Sequence, residues 1–400
     1  QAHPSSASMA LSTRRSSRAI RALRLQRWAR LLAAAAVTAV GLARSAKRFE
    51  LITATASLLS APSVALSTLD LPKIWLAKDV RKVVLTQQHP WLFDRCFRDG
   101  ADAAPGDVVA VAWKRRTLAL GLYDPDSPLR VRLLTWDVAL MPDESWAQGV
   151  AEDAAARRKG DRRLSACSGV RLLNGESDWA PGIVLDAYAD VGVVAFDGAA
   201  CEAFWRPKLP AMVAAFAVAG FALRGVLRKG GRELVWGEPP PDAPVLFEEN
   251  GARFEVDVRR GMKTGFFLDQ RENRLRLRNL AAGKDVLDLF SYTGGFAVNA
   301  AMGGARRVVV VDQAEPAIRA CCRNFEINGL RARIVGAEGA GEEPVSGEAD
   351  GHELHVADCW DFLRASAARG ELFDIVVNDP PSMAPSARAR PNALRSNARF

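Results

Sequence analysis

Cysteine and histidine are scarce, with six and four in 400 residues. The cysteines (Cys96, Cys167, Cys201, Cys321, Cys322 and Cys359) form no Cys-x-x-Cys pair. That scatter excludes a disulfide scaffold and offers no structural zinc site, so no metal is expected. No transmembrane span is expected either, because the apolar run Leu31–Ala43 is about 13 residues long and a bilayer needs about 20. Apolar residues at 49% and charged residues at 25% exclude a wholly disordered or collagenous chain. The length has room for two or three domains.

Acid is what the first 69 residues lack. They carry ten Arg and Lys against one acid, Glu50, a net of +9. The remainder nets −1, so the overall +8 belongs to this leader rather than to a basic enzyme body. Its basic residues are interleaved with Ala, Leu and Ser, which is the composition of a transit peptide. Residues 1–69 are therefore expected to be a disordered leader, removed on delivery to a mitochondrion or chloroplast. A basic tail that binds RNA is the plainer alternative.

The chain becomes globular from Asp70. Asp107–Trp113 and Thr117–Tyr123, separated by the basic turn Lys114–Arg116, read as a β-hairpin. Arg130–Trp136 reads as a third strand, and residues 70–143 are expected to form a small β-barrel. Residues 144–245 read as an α+β unit. Its helices are expected at Glu144–Arg158 and Phe204–Phe216, and its strands at Gly182–Asp186, Val191–Phe196 and Gly225–Arg228, with a further strand at Phe254–Val258. Residues 246–400 are expected to hold an α/β, Rossmann-like domain. From Lys284, strands and helices alternate, which predicts a doubly wound parallel sheet of about four strands. The strands are Asp285–Phe290, Arg307–Val311, Leu354–Ala357 and Asp374–Val377, with helices over Phe296–Met302, Pro316–Asn328 and Asp361–Arg369. Gly336–Gly351 reads as a surface insertion.

The chemistry is expected at the carboxyl ends of those strands, where open α/β sheets bind ligands. Asp288-Leu-Phe-Ser-Tyr-Thr-Gly-Gly295 ends the first strand with glycines that admit a ligand close to the backbone. Asp312 ends the second, where an acid can accept the hydroxyls of a ribose. The loop lacks both G-x-G-x-x-G and Gly-Lys-Ser/Thr, so the spacing points to an adenosine without phosphates. Asp358 can accept an adenine amino group and Cys359 can offer its backbone N–H, although an N-cap is an equally good reading of Asp358. Asn378-Asp379-Pro380-Pro381 makes a stiff loop at the crevice edge, followed by Ser382 rather than an aromatic.

Gly261-Met-Lys-Thr-Gly-Phe-Phe-Leu-Asp-Gln-Arg-Glu-Asn-Arg274, together with DLFSYTGGFAVNAAMGG, resembles the bacterial large-subunit rRNA cytosine-C5 methyltransferase family. His89–Phe93 and Gly121–Arg130 resemble that family's N-terminal PUA domain. Asn174–Asp178, Pro181-Gly182 and Asp186 resemble its middle domain, so the likeness runs over residues 72–400. The resemblance implies a class I fold, S-adenosylmethionine as cofactor and rRNA as partner. Carried over by position, it assigns Asp288, Phe290, Ser291, Tyr292, Thr293 and Gly294 to the methionine portion, Asp312 to the ribose, and Asp358 and Cys359 to the adenine. Asn378, Asp379, Pro380 and Pro381 would line the target-base pocket. Lys263, Thr264 and Asp269-Gln270-Arg271 would shape the cofactor entrance.

One departure stands out. Methylation at cytosine C5 needs a thiolate to add at C6, and the family carries it in a later Ser-Cys-Ser segment that this chain does not reach. The nucleophilic cysteine is therefore expected to be absent from these 400 residues, and the methyltransferase domain to be truncated. Methylation at another base position and a non-catalytic RNA-binding protein stay open as alternatives. Arg81, Arg95, Arg98, Lys114, Arg115, Arg116, Arg130 and Arg132 are the candidate RNA contacts on the barrel. Trp91 and Phe93 are possible stacking surfaces, with core packing the favoured reading for both. The oligomeric state is left open, a homodimer included.

Overall fold

The computed structural model describes residues 70–77, 80, 89–230, 233–261, 264–336 and 351–381. The chain divides between Leu66 and Ser67, and every described residue belongs to the second unit. The leader, Arg81, Lys263, Ser382 and the interior of the Gly336–Gly351 insertion lie outside the described residues.

The first domain is a five-stranded sheet in the order β1-β3-β4-β5-β2. Its strands are β1 (Lys73–Trp75), β2 (Trp91–Leu92), β3 (Val108–Trp113), β4 (Arg116–Tyr123) and β5 (Val131–Thr135). A bridge from Leu76 to Phe97 joins the two ends, closing the sheet on itself. Ile74, Leu92, Val109, Val111, Val131 and Leu133 fill the interior. Trp91 and Phe93 do not join them: they are 41% and 38% exposed, which corrects the core-packing expectation. The strand alternates, so Leu92 takes the inward face and its neighbours the outward one.

The second domain has a sheet in the order β10-β9-β8-β7-β6, built from β6 (Gly169–Asn174), β7 (Ile183–Tyr188), β8 (Val191–Phe196), β9 (Gly225–Arg228) and β10 (Leu234–Gly237). Three helices cover one face: α1 (Glu144–Gly160), α2 (Ala199–Trp205) and α3 (Leu209–Val218). The single helix expected over Phe204–Phe216 is thus two, separated by the 3-10 turn Arg206–Lys208. Pro207 and Pro210 explain the break, since neither can donate the interior hydrogen bond. The other face, carrying Tyr188, Val193 and Leu227, packs against the hairpin β11 (Val245–Glu249) and β12 (Ala252–Val256). The expected Phe254–Val258 strand therefore starts earlier, at Ala252, where it pairs with Glu249.

Arg132 on β5 ties the barrel to this second domain. It is only 9% exposed, and its guanidinium binds Glu176 at 3.0 Å and also Asp197. Arg132 is therefore a clamp between domains and not an RNA contact. Arg132→Ala is expected to cost about 1–3 kcal/mol, read as a lower urea midpoint.

The last domain is a parallel sheet in the order β15-β16-β14-β13-β17. The strands are β13 (Asp285–Leu289), β14 (Arg307–Asp312), β15 (Ala332–Val335), β16 (His352–Val356) and β17 (Ile375–Asn378). Among the described residues it has five strands, not four: β15 is a short edge strand with one residue exposed and three half-buried, too brief to read as a sheet strand. The helices α4 (Arg271–Leu280), α5 (Gly295–Met302), α6 (Glu315–Glu326) and α7 (Cys359–Ala368) wind around it. On β14, Val308 and Val310 join the core shared with the second domain, whereas Val309 and Val311 face Phe362. Burial on both faces explains the unbroken valine run.

Candidate active site

Four strand ends meet at one edge of this sheet. The register sets Leu289 beside both Val311 and Asn378, and Asp312 beside Val356. Asp288, the loop Phe290–Gly294, Asp312, Asp358 and Asn378–Pro381 are thereby gathered on the carboxyl side, as their positions in the sequence led one to expect.

The loop after β13 has an unusual backbone. Phe290 (φ 55°), Tyr292 (φ 51°) and Gly294 (φ 78°) are all left-handed, two of them without glycine's freedom. Such strain persists only where surrounding contacts enforce it, and it clusters at ligand sites. Tyr292 N–H donates to Asp312 Oδ2 at 2.9 Å, and Asn324 Nδ2 of α6 donates to the Thr293 carbonyl at 2.8 Å. Alternating handedness turns successive N–H groups toward one concavity that suits an anion such as a carboxylate. Gly294 caps α5 with no side chain, so the Gly295 and Phe296 N–H groups have no side-chain cap, while that of Ala297 is taken by Asp288.

Ser291 Oγ and Thr293 Oγ1 are buried there without a hydrogen-bond partner among the described residues. A buried hydroxyl left unpaired costs about 1–3 kcal/mol. Two in one loop fit a polar ligand supplied from outside the chain, and S-adenosylmethionine carries the amine, carboxylate and ribose to engage them.

Asp288 sits beneath the loop, 1% exposed, and accepts the Ala297 N–H of α5 at 3.1 Å. Burial pushes its carboxyl up to about 8, with the Asp379 and Asp312 carboxylates adding to the rise and the Ala297 N–H opposing it. An unfolded aspartate titrates near 4, so between about pH 4 and 8 the folded state holds the extra proton. Stability contributed by the neutral form is therefore full below about pH 4 and is lost as pH rises toward 8. Asp288→Asn is expected to flatten that fall in melting temperature. A bound sulfonium or ammonium favours the carboxylate, so S-adenosylmethionine affinity should rise with pH through about 8 in the wild type and not in the variant.

Asp312 accepts the Ala314 N–H as well as that of Tyr292, and a carboxylate keeps lone pairs for a ribose. Asp358 caps α7, with Oδ1 accepting from Trp360 and Asp361 at 2.8 and 3.2 Å, so the helix begins at Cys359 rather than Asp361. Asn378 and Asp379 are exposed at the end of β17, with Pro380 half-buried and Pro381 exposed.

Thr264 does not face the cofactor loop with its hydroxyl. It is 5% exposed and donates to Asp186 at 2.5 Å, and it also bonds the Tyr188 hydroxyl. Arg171 holds the same Asp186 through two nitrogens. This buried network anchors the 264–271 segment to the second domain. Phe267 of that segment packs edge-on against Tyr292 at 5.7 Å, and Tyr292 donates to the Gly265 carbonyl at 3.4 Å. Asp269 and Arg271 line a different cleft. Sequence reasoning missed Asn324 and Tyr188, because neither stands in a spacing that marks it out.

Five of the six cysteines offer no ready nucleophile. Burial pushes the thiols of Cys201, Cys322 and Cys359 up to about 11 and holds those of Cys167 and Cys321 above their ordinary value. Thiols so placed stay protonated at neutral pH. Among the described residues no cluster of His, Cys, Asp and Glu could hold a metal, and no helix is long and apolar enough to cross a membrane.

On the barrel, Arg95 and Arg98 are exposed and lie over Phe93 and Trp113 at 5.9 and 5.7 Å. Lys114, Arg115 and Arg116 form an exposed basic tip between β3 and β4. Arg130 is paired with Asp94 at 2.6 Å. The indole N–H of Trp91 donates to Glu176 at 2.8 Å, which fixes an exposed ring in one orientation.

The S-adenosylmethionine-dependent methyltransferase family matches residues 228–389, and the PUA-like domain family matches residues 78–136. A ribosomal RNA large subunit methyltransferase of Deinococcus radiodurans is 36% identical over 327 residues, covering 77% of this chain and 75% of that protein. Ribosomal RNA large subunit methyltransferase I of Klebsiella pneumoniae is 34% identical over 319 residues, covering 78% and 75%. Among solved structures, a methyltransferase complexed with SAH superposes with a TM-score of 0.65 at 26% identity, covering 78% of this chain and 77% of that one. A SAM-dependent methyltransferase from Streptococcus mutans gives 0.63 at 25% identity, covering 78% and 77%. With a PUA-like barrel, a class I sheet and a cofactor loop that its own polar atoms leave unfilled, the chain belongs to the family of S-adenosylmethionine-dependent ribosomal RNA large-subunit methyltransferases.

Proposed function

We propose that this chain methylates a base of large-subunit ribosomal RNA, with C5 of a cytosine as the atom modified. The observation that carries the reading is the strained loop Phe290–Gly294, with two unpaired buried hydroxyls, facing the Asn378–Pro381 loop across adjacent strand ends. S-adenosylmethionine supplies a methyl group made electrophilic by its sulfonium. The protein holds the amino-acid end with Ser291, Thr293 and the loop N–H groups, and orients the ribose with Asp312. Asp358 and the Cys359 N–H serve the adenine. Asp379, Pro380 and Pro381 form a stiff wall for the target base, and the acidic crevice favours a cation. Arg95, Phe93 and the pinned Trp91 supply a basic, aromatic face for RNA, with Lys114, Arg115 and Arg116 beside the phosphates. Trp91→Ala is expected to weaken RNA binding by about 1–3 kcal/mol, measured by fluorescence anisotropy.

C5 chemistry needs a thiolate. One other reading, methylation at a base nitrogen, needs no thiol. Mass mapping of rRNA nucleosides after depletion separates the two. Loss of 5-methylcytidine supports C5, loss of an N-methylated nucleoside supports the other, and loss of neither overturns an rRNA substrate. The composition of residues 1–69 supports delivery to a mitochondrion or chloroplast. A fluorescent fusion to that leader that stays in the cytosol would refute this.

A further inference from the structure

A cleft of about 370 Å³ opens between the second domain and the segment leading into α4. Arg157 of α1, Arg171 of β6 and Arg271 at the start of α4 stand on its walls, over an apolar floor of Leu164, Val170 and Leu268. The guanidinium groups of Arg157 and Arg171 are held by buried carboxylates, and Arg271 pairs with Glu272 at 3.3 Å. Arg158, also on the wall, makes a two-pronged pair with Asp178 at 2.6 and 2.5 Å, and Arg171 makes one with Asp186 at 2.7 and 3.0 Å. Both carboxylates are buried, at 3% and 0% exposure. Arg157 gives Nη2 to Asp178 and remains 47% exposed.

The lining is mixed, and the mixture selects the ligand. A site for a bare phosphate would not set the carboxylates of Asp161 and Asp269 beside it. A site for an apolar group would not need four arginines. A nucleotide satisfies both halves: its phosphate meets the remaining N–H groups of Arg157 and Arg271, its base lies on apolar side chains or guanidinium planes, and its polar edge meets Asn174 and the acids. The volume falls within the ordinary range for a small-ligand site, about 300–1,000 Å³. The cleft is separate from the cofactor crevice. Phe267 packs on the cofactor loop, whereas the next residue, Leu268, turns to the cleft.

We propose that this cleft holds one unstacked nucleotide of the RNA substrate, outside the cofactor crevice and on the far side of the 264–271 segment. The proposal rests on the RNA reading above. It is tested on the full chain with a single-stranded RNA oligonucleotide carrying 4-thiouridine, photo-crosslinked and mapped by peptide mass. Crosslinks within residues 157–174 or 268–271 are expected. In parallel, Arg157→Ala/Asn174→Ala should bind the same RNA about tenfold more weakly. Its salt slope should be shallower by roughly 0.7 per phosphate contact removed, with S-adenosylhomocysteine affinity unchanged by calorimetry. Crosslinks confined to other segments, with wild-type RNA affinity in the variant, would overturn the subsite alone. A wild-type chain that binds no RNA overturns the RNA reading as well.

Discussion

Gly294→Ala is expected to remove measurable S-adenosylmethionine binding. At φ 78° the backbone is left-handed, which costs a residue with a Cβ about 1–2 kcal/mol. The larger effect is steric. An added Cβ would run into Sγ of Cys321 and lie 3.2 Å from that residue's Cβ. Cys321 is fully buried on α6, so the loop must yield instead. The Ser291 and Thr293 hydroxyls ride on that loop, so displacing it carries both away from the cofactor. Calorimetry with S-adenosylhomocysteine reads the loss. Gly294→Ala/Cys321→Ala should recover part of it, because removing Sγ relieves the closest clash while the backbone strain stays. Wild-type affinity in the single variant would show that this loop is not the cradle of the cofactor.

Arg274→Ala should be the most destabilising single change among the ion pairs. Arg274 and Glu249 are 2% and 1% exposed and share two hydrogen bonds of 2.7 and 2.6 Å. The guanidinium also lies over the Phe266 ring at 4.6 Å and donates to the Phe267 carbonyl at 2.9 Å. Removing one partner leaves a buried, uncompensated carboxylate, a loss of about 3–5 kcal/mol. Arg274→Met/Glu249→Leu should recover most of that, since an apolar pair of similar volume needs no desolvation of charge. Urea unfolding measures both. The single variant should also weaken cofactor binding, because Phe267 packs against Tyr292 of the cofactor loop. If the double variant is as unstable as the single one, packing geometry rather than the stranded charge is responsible.

The strand ends were legible because chemistry and periodicity coincide there. Asp285–Leu289 carries an acid, Asp288, one residue before its end, Arg307–Asp312 is a valine run closing on an acid, and the glycines after the first strand mark a ligand loop. β15 was not legible, since four partly exposed residues carry no pattern until β16 pairs with them. The helix break at Pro207 was written in the chain but outweighed by the apolar residues on both sides. Trp91 and Phe93 were misread because hydrophobicity alone cannot tell an inward residue from an outward one in or just after a two-residue strand.

Site assignments divided along the same line. Asp288, Ser291, Thr293 and Asp312 follow from position, for anything at the end of a parallel strand next to a glycine turn must face the crevice. Thr264, Arg132 and Arg271 could not be placed that way. Their partners, Asp186, Glu176 and the cleft wall, stand far from them in sequence, and a polar side chain in a loop can face either of two domains. The sequence by itself determined most of the element order and the near neutrality of residues 70–400, because those follow from local spacing and composition, while the cofactor class came with the motifs that resemble the family. Which arginines clamp domains, which line a cleft and which stay open to solvent was decided only by the tertiary structure, because burial and ion pairing are properties of surfaces brought together from distant parts of the chain.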